Sequence, residues 1–213
     1  MLKTVCFTEL TPAALKQLKA FLENGETVAF PTETVYGLGS LLSSSRGLEK
    51  LYRLKKRARS KALTVHLGRV EDAALVAEAI PDEFYLLARH FLPGPLTLVL
   101  KKKASLPALV SPYPTVGVRV PSHPFFLKLA GFLAAPLVGT SANLSSLPPL
   151  TSASKVREAF QGQIAALIDG GEALLQKPST IVSLAEEKPM LLREGSLKKE
   201  TIEAVLKKPL LCL

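Results

Sequence analysis

Lys55 and Arg57 stand two residues apart and are the first side chains suited to chemistry. Lysine supplies a point charge and arginine a planar fork, a combination that fits a polyphosphate. The same pair also reads as a solvated basic loop. Arg119 is more telling, because it interrupts the apolar run Val116-Gly117-Val118-Arg119-Val120. An arginine there needs a carboxylate or phosphate partner, and a bound substrate is one candidate. Arg193 follows Leu191-Leu192 in the same manner. His66 sits on the polar side of an alternating segment, where it either meets a ligand or is structural. Ser141 and Asn143 can donate to phosphates or a ribose, and serve equally as turn residues. Glu33 and Asp169 are candidate magnesium or water ligands, neither with a neighbouring carboxylate.

Several apolar runs end in short polar clusters, five in all: Pro31-Thr32-Glu33-Thr34, Arg119-Val120-Pro121, Thr140-Ser141-Ala142-Asn143, Ser179-Thr180 and Arg193-Glu194-Gly195. Their common placement predicts that they meet in one crevice. The sequence contains no Gly-x-x-x-x-Gly-Lys-Ser/Thr, no Gly-x-Gly-x-x-Gly, no Gly-x-Ser-x-Gly and no His-Glu-x-x-His. Catalysis must be assembled from scattered pieces.

The positioning elements alternate. Strands are predicted at Thr27–Phe30, Leu63–Leu67, Leu96–Leu100, Val116–Val120, Leu137–Thr140, Ile164–Ile168, Ile181–Leu184 and Met190–Leu192. Leu63, Val65 and Leu67 face one side of their strand, and Thr64 and His66 the other. Pro31 stops the first of these strands, and Gly37 and Gly39 are read as places where the backbone turns or approaches a ligand. Helices are predicted from Pro12 (capped by Thr11) to Gly25, and over Gly47–Lys55, Glu71–Ala79, Asp82–Phe91, Pro124–Ala130, Ser154–Phe160 and Lys198–Leu206. There is no repeat and no low-complexity linker. The expectation is a single α/β domain over residues 1–213, with a mixed sheet flanked by helices.

Of the 213 residues, 47% are hydrophobic and 21% charged, an ordinary globular composition. No stretch is apolar enough to cross a bilayer, and the N-terminus does not read as a signal peptide, so a cytoplasmic protein is expected. Cys6 and Cys212 lack metal-ligand spacing and are expected as reduced thiols. The net charge of +9 permits tRNA or a nucleotide as partner and does not choose between them.

Taken together, Pro31–Leu38, Lys55-x-Arg57, Leu63–His66, Pro93–Thr97, Val118–Pro121, Ser141–Ser145, Ser179–Val182 and Arg193–Gly195 resemble the YrdC-type threonylcarbamoyl-AMP synthases, in that family's order along the chain. The resemblance implies a twisted sheet with a concave, positively charged face. It implies that L-threonine, bicarbonate and ATP are joined into threonylcarbamoyl-adenylate and pyrophosphate, with Mg²⁺. The product would pass to a threonylcarbamoyl transferase complex acting on tRNA beside the anticodon, and direct tRNA contact is a further expectation. The implied ATP side is Lys55, Arg57, Lys61, Thr115, Ser141, Asn143 and Arg193, with Lys55 and Arg57 catalytic. The implied threonine side is Thr32, His66, Arg119, Thr140 and Ser179. Lys56 replaces the family's usual glycine, Ala58 its proline, and Lys61 and Ala62 its asparagine and proline. The chain ends soon after Gly195 and looks like the single-domain form. An RNA-binding module without adenylation chemistry is the alternative, and a carbamoyl-adenylate domain like that of HypF is a third reading.

Overall fold

Alternation of apolar residues decides which side of each element is covered. A computed structural model describes residues 3–212. In chain order the elements are β1 (Val5–Phe7), α1 (Pro12–Glu23), β2 (Val28–Phe30), β3 (Gly37–Leu41), α2 (Ser45–Lys55), β4 (Thr64–His66), a 3₁₀ turn at Val70–Leu75, α3 (Asp82–Phe91), β5 (Leu96–Lys101), β6 (Thr115–Arg119), α4 (Pro124–Leu133), β7 (Leu137–Ser141), α5 (Ala153–Phe160), β8 (Ala166–Ile168), β9 (Thr180–Ser183), β10 (Met190–Arg193), α6 (Lys199–Leu206) and β11 (Leu211–Cys212). The strands form one mixed sheet in the order β1-β8-β2-β3-β7-β4-β6-β5-β9-β10-β11. The β3–β7, β7–β4 and β5–β6 neighbours are antiparallel, whereas β4–β6 and β5–β9 are parallel.

Each face packs its own core. On one, Leu63, Val65, Leu67, Leu98, Val118 and Val138 pack against α2, α3, α5 and α6 through residues such as Leu48, Leu51, Phe84, Val156 and Ile202. On the other, Val28, Phe30, Leu137 and Ile168 pack against α1 and α4 through Leu15, Leu18, Leu22, Phe126 and Leu129. The second core covers only one end of its face. Beyond it the same alternation presents Gly37, Thr64, His66, Thr97 and Arg119, which line an open cavity.

Two expectations need correction. Glu71–Ala79 is not an α-helix; its ordered part is the 3₁₀ turn. Gly37 and Gly39 do not turn the chain; both lie in β3, which pairs antiparallel with β2. The Phe30 ring crosses both, and a Cβ on either glycine would lie 2.7 Å from ring atoms. The glycines therefore make room for a side chain of the neighbouring strand.

Gly139 in β7 is tighter still. A Cβ there would stand 2.6 Å from the Leu38 carbonyl oxygen, a backbone atom that cannot swing aside. Gly139→Ala is expected to lower stability by about 2 kcal/mol, a fall of roughly 4–8 °C in Tm. Gly131, inside α4, has nothing within 4 Å of its Cβ position. Gly131→Ala is expected to raise stability by up to about 1 kcal/mol. Thermal unfolding of the two variants side by side checks both.

Candidate active site

The strand ends do converge. A cavity of about 820 Å³, including its open mouth, is lined by Thr32, Val35, Tyr36, Gly37, Arg57, Ala62, Thr64, His66, Thr97, Arg119, Thr140, Ser141, Pro178, Ser179, Ile181 and Arg193, among others. The register explains the convergence: His66 is paired with Arg119, Gly37 with Ser141, and Thr97 with Ile181.

Three guanidinium groups reach the cavity, each held from behind by the protein. Arg57 donates from Nε to the Lys61 carbonyl at 3.1 Å and from Nη2 to the Ala62 carbonyl at 2.6 Å. Arg193 donates from Nε and Nη2 to the Ser179 carbonyl at 3.1 and 2.8 Å. Arg119 donates from Nε to the Gly94 carbonyl at 3.1 Å, and from Nη2 to Glu33 Oε1 at 2.7 Å and Thr34 Oγ1 at 2.9 Å. Among the described residues none of the three Nη1 groups has a protein hydrogen bond. Burial pulls all three basicities down, and the Arg119 charge adds to this at Arg193.

Arg119 thus has its carboxylate inside the protein. Both oxygens of Glu33, a candidate metal ligand in sequence, have protein partners: Oε1 is paired with Arg119 and Oε2 accepts from the Ser122 N–H at 3.0 Å. Asp169 lies elsewhere, against Arg157 at 3.5 Å. No group of three His, Cys, Asp or Glu is placed to hold a metal among the described residues.

Lys55 does not line the cavity. Its side chain is buried and donates to the Ser141 carbonyl, the Asn143 carbonyl at 2.7 Å and Asn143 Oδ1 at 2.8 Å. Those three oxygens use every proton of the ammonium. Burial, reinforced by the Arg57 charge, pulls Lys55 down to about 7. Asn143 also accepts from Ser141 Oγ at 2.6 Å and donates to the Leu144 and Leu147 carbonyls. Lys55 and Asn143 therefore shape the loop that presents Ser141. The Lys61 side chain is exposed outside the cavity, and the residue's carbonyl serves Arg57 instead. Thr115 shares the Arg119 face of β6, but four residues away, about 13 Å along the strand.

Lys56 completes the α2 C-terminus at φ 48, the left-handed region that favours glycine. The turn sends Lys55 inward and leaves Arg57 on the cavity. Lys56 thus adopts a conformation that glycine takes without strain. Lys56→Gly is expected to raise the urea unfolding midpoint, by a gain of up to about 1 kcal/mol, with no change in secondary structure by circular dichroism.

On the threonine side, Thr32 Oγ1 donates to the Val35 carbonyl at 2.6 Å and accepts from the Thr34 and Val35 N–H groups, bracing the turn after β2. Ser179 Oγ pairs with Thr97 Oγ1 at 2.8 Å. Sequence reading missed Thr97 and Thr64 as lining residues, although both occupy polar positions in alternating strands.

His66 is buried, its ring 5.5 Å from that of Phe30 and 6.0 Å from that of Phe126, with Nδ1 unpartnered. Burial, with Arg119 nearby, pulls it down to about 3. An unfolded histidine takes its proton near 6.5. Between these values the unfolded chain binds one more proton than the folded one, so stability falls as the pH falls. This contribution is complete above about pH 6.5 and is lost toward pH 3, at up to about 1.4 kcal/mol per pH unit. His66→Leu is expected to flatten the slope by that amount in urea titrations between pH 6 and 4. An unchanged slope would show that His66 is not the group responsible.

The fold and cavity define a class: an α/β protein whose cavity is built from strand ends and arginines, without a glycine-rich phosphate loop. The model for the Sua5, YciO and YrdC proteins, described as "Telomere recombination", matches residues 20–195. The chain belongs to that family. It is 42% identical to the threonylcarbamoyl-AMP synthase of Pyrococcus abyssi over 87% of this chain and 55% of that one. It is 38% identical to the Bacillus subtilis protein of the same name, over 90% of this chain and 56% of that one. The crystal structure of P. abyssi Sua5 complexed with L-threonine superposes with a TM-score of 0.91 at 37% identity, covering 99% of this chain and 62% of that one. The chain spans about half the length of the curated relatives it matches.

Proposed function

We propose that this chain joins L-threonine, bicarbonate and ATP into threonylcarbamoyl-AMP, releasing pyrophosphate, in the cytoplasm, as the supply step for threonylcarbamoyladenosine in tRNA. The observation that carries this reading is one cavity with three half-satisfied arginines and only one carboxylate among their partners. Such a site attracts a ligand with several negative charges. The names of the relatives and the threonine bound to P. abyssi Sua5 support the amino-acid half.

The chemistry needs no protein nucleophile. The threonine amine adds to bicarbonate with loss of water, giving a carbamate. A carbamate oxygen attacks the α-phosphorus of ATP, and the bond to the pyrophosphate oxygen breaks. The protein's work is positioning and charge neutralisation. Arg119 meets the threonine carboxylate, near the Ser179 and Thr97 hydroxyls and neutral His66. Arg57 and Arg193 take the phosphates, with Ser141 beside them. Lys55 and Asn143 act at one remove, by fixing the Ser141 loop.

The donor set does not fit a resident metal, because no carboxylate lines the cavity among the described residues and Glu33, behind Arg119, is already doubly engaged. Magnesium would arrive on the triphosphate. The RNA-binding alternative is weaker, since the aromatic rings available for stacking in the cavity reduce to Tyr36 and His66. No helix among the described residues is long and apolar enough to cross a membrane.

Purified protein is expected to release pyrophosphate only when threonine, bicarbonate and ATP are all present. Arg57→Ala is expected to cut that rate about 10²–10³-fold while circular dichroism stays unchanged. Absence of pyrophosphate with all three substrates rejects the reaction; full activity of the variant rejects the role of Arg57.

A further inference from the structure

The three arginines of the cavity differ in one respect. Arg57 and Arg193 are held by neutral oxygens alone, and neither has an ion pair among the described residues. Arg119 alone faces a carboxylate, 2.7 Å away and buried with it. Lys55 behind Arg57 is likewise held by neutral oxygens. His66, paired in register with Arg119, carries no charge at neutral pH. Arg119 is therefore charge-balanced, whereas Arg57 and Arg193 carry uncompensated positive charge.

We infer that Glu33 is a specificity-determining residue that keeps polyphosphate off the Arg119 end and reserves that end for a zwitterionic or singly charged amino acid. This inference rests on the reaction proposed above. A guanidinium binds carboxylate and phosphate with the same fork, so its shape alone does not sort the two substrates. Charge does. A carboxylate fixed against Arg119 repels the dense charge of a triphosphate much more than the near-neutral head of an amino acid, and burial weakens screening of that repulsion. Arg193 is near enough for the Arg119 charge to act on it. Without Glu33, a polyphosphate held by Arg193 would extend onto Arg119.

Glu33 does not line the cavity and acts through Arg119. It is a positioning residue. Its backbone is anchored independently: the Glu33 carbonyl accepts from the Leu175 N–H at 2.8 Å, and the turn is braced by Thr32. A change at the carboxylate thus acts on the charge of the pair while these anchors remain.

Calorimetric titration with L-threonine and inorganic tripolyphosphate tests this without turnover. In the wild type, saturating tripolyphosphate should leave the threonine Kd within about twofold. In Glu33→Gln, tripolyphosphate should compete with threonine and raise its apparent Kd at least tenfold; Glu33→Asp, which restores the charge, should reverse most of this. In turnover, Glu33→Gln should raise KM for threonine without raising KM for ATP, a split that a loss of folded protein does not produce. Displacement of threonine by tripolyphosphate in the wild type overturns the inference, even if Glu33→Gln does not fold. So does a Glu33→Gln protein in which the two still bind independently. Failure of wild-type protein to bind threonine or release pyrophosphate instead overturns the underlying reaction.

Discussion

The buried pair between Arg119 and Glu33 is the interaction on which the site depends. Removing two charges from water is costly, and further hydrogen bonds to both partners offset that cost. Thr34 and the Gly94 carbonyl take the remaining donors of Nη2 and Nε, and the Ser122 N–H satisfies the second carboxylate oxygen. These contacts join four stretches far apart in sequence: the turn after β2, the loop before β5, the end of β6 and the approach to α4. One edge of the cavity is therefore a single hydrogen-bonded unit.

The cavity exists because a sheet face is left half covered. Helices α1 and α4 close one end of that face, and Phe30, lying across Gly37 and Gly39, marks where the apolar cover stops. Past that point the strands carry polar or small residues on the same side: Thr64, Gly117, Gly139, Thr97 and Ser141. The opposite face, fully covered, carries branched aliphatic residues at the alternate positions. A single alternation along each strand thus builds a core on one side and a binding floor on the other.

Much of this is legible in the sequence, for a physical reason. Periodicity registers burial, so strands such as Leu96–Lys101 and helices such as Asp82–Phe91 emerge close to their observed bounds. The convergence of the polar clusters is not local in the same way: the sheet is mixed, so β6 and β7 end at opposite edges, and the clusters meet through the polar face between them. The strand β3 escaped because its glycines signal a turn locally, and only the Phe30 ring of the next strand explains them. Likewise, Arg119 demanded an anion, but nothing in the order of residues says that Glu33, 86 positions away, supplies it. Long-range partners are properties of register and topology, which local patterns do not encode.

Lys55 shows where a motif and a geometry part. In sequence it is twinned with Arg57, and both read as phosphate ligands. The helix α2 ends between them, and the left-handed turn at Lys56 separates their directions. Lys55 goes into the protein and gathers three oxygens of the Ser141–Asn143 loop; Arg57 stays at the cavity, clasped to the next loop. The two basic groups are thereby aimed at different partners, although the Arg57 charge still helps pull Lys55 down. One becomes the brace for a binding loop, while the other keeps an Nη1 group without a protein partner at the cavity. A lysine fully occupied by backbone and amide oxygens costs no reorganisation when a ligand arrives, and holds Ser141 in place before it does.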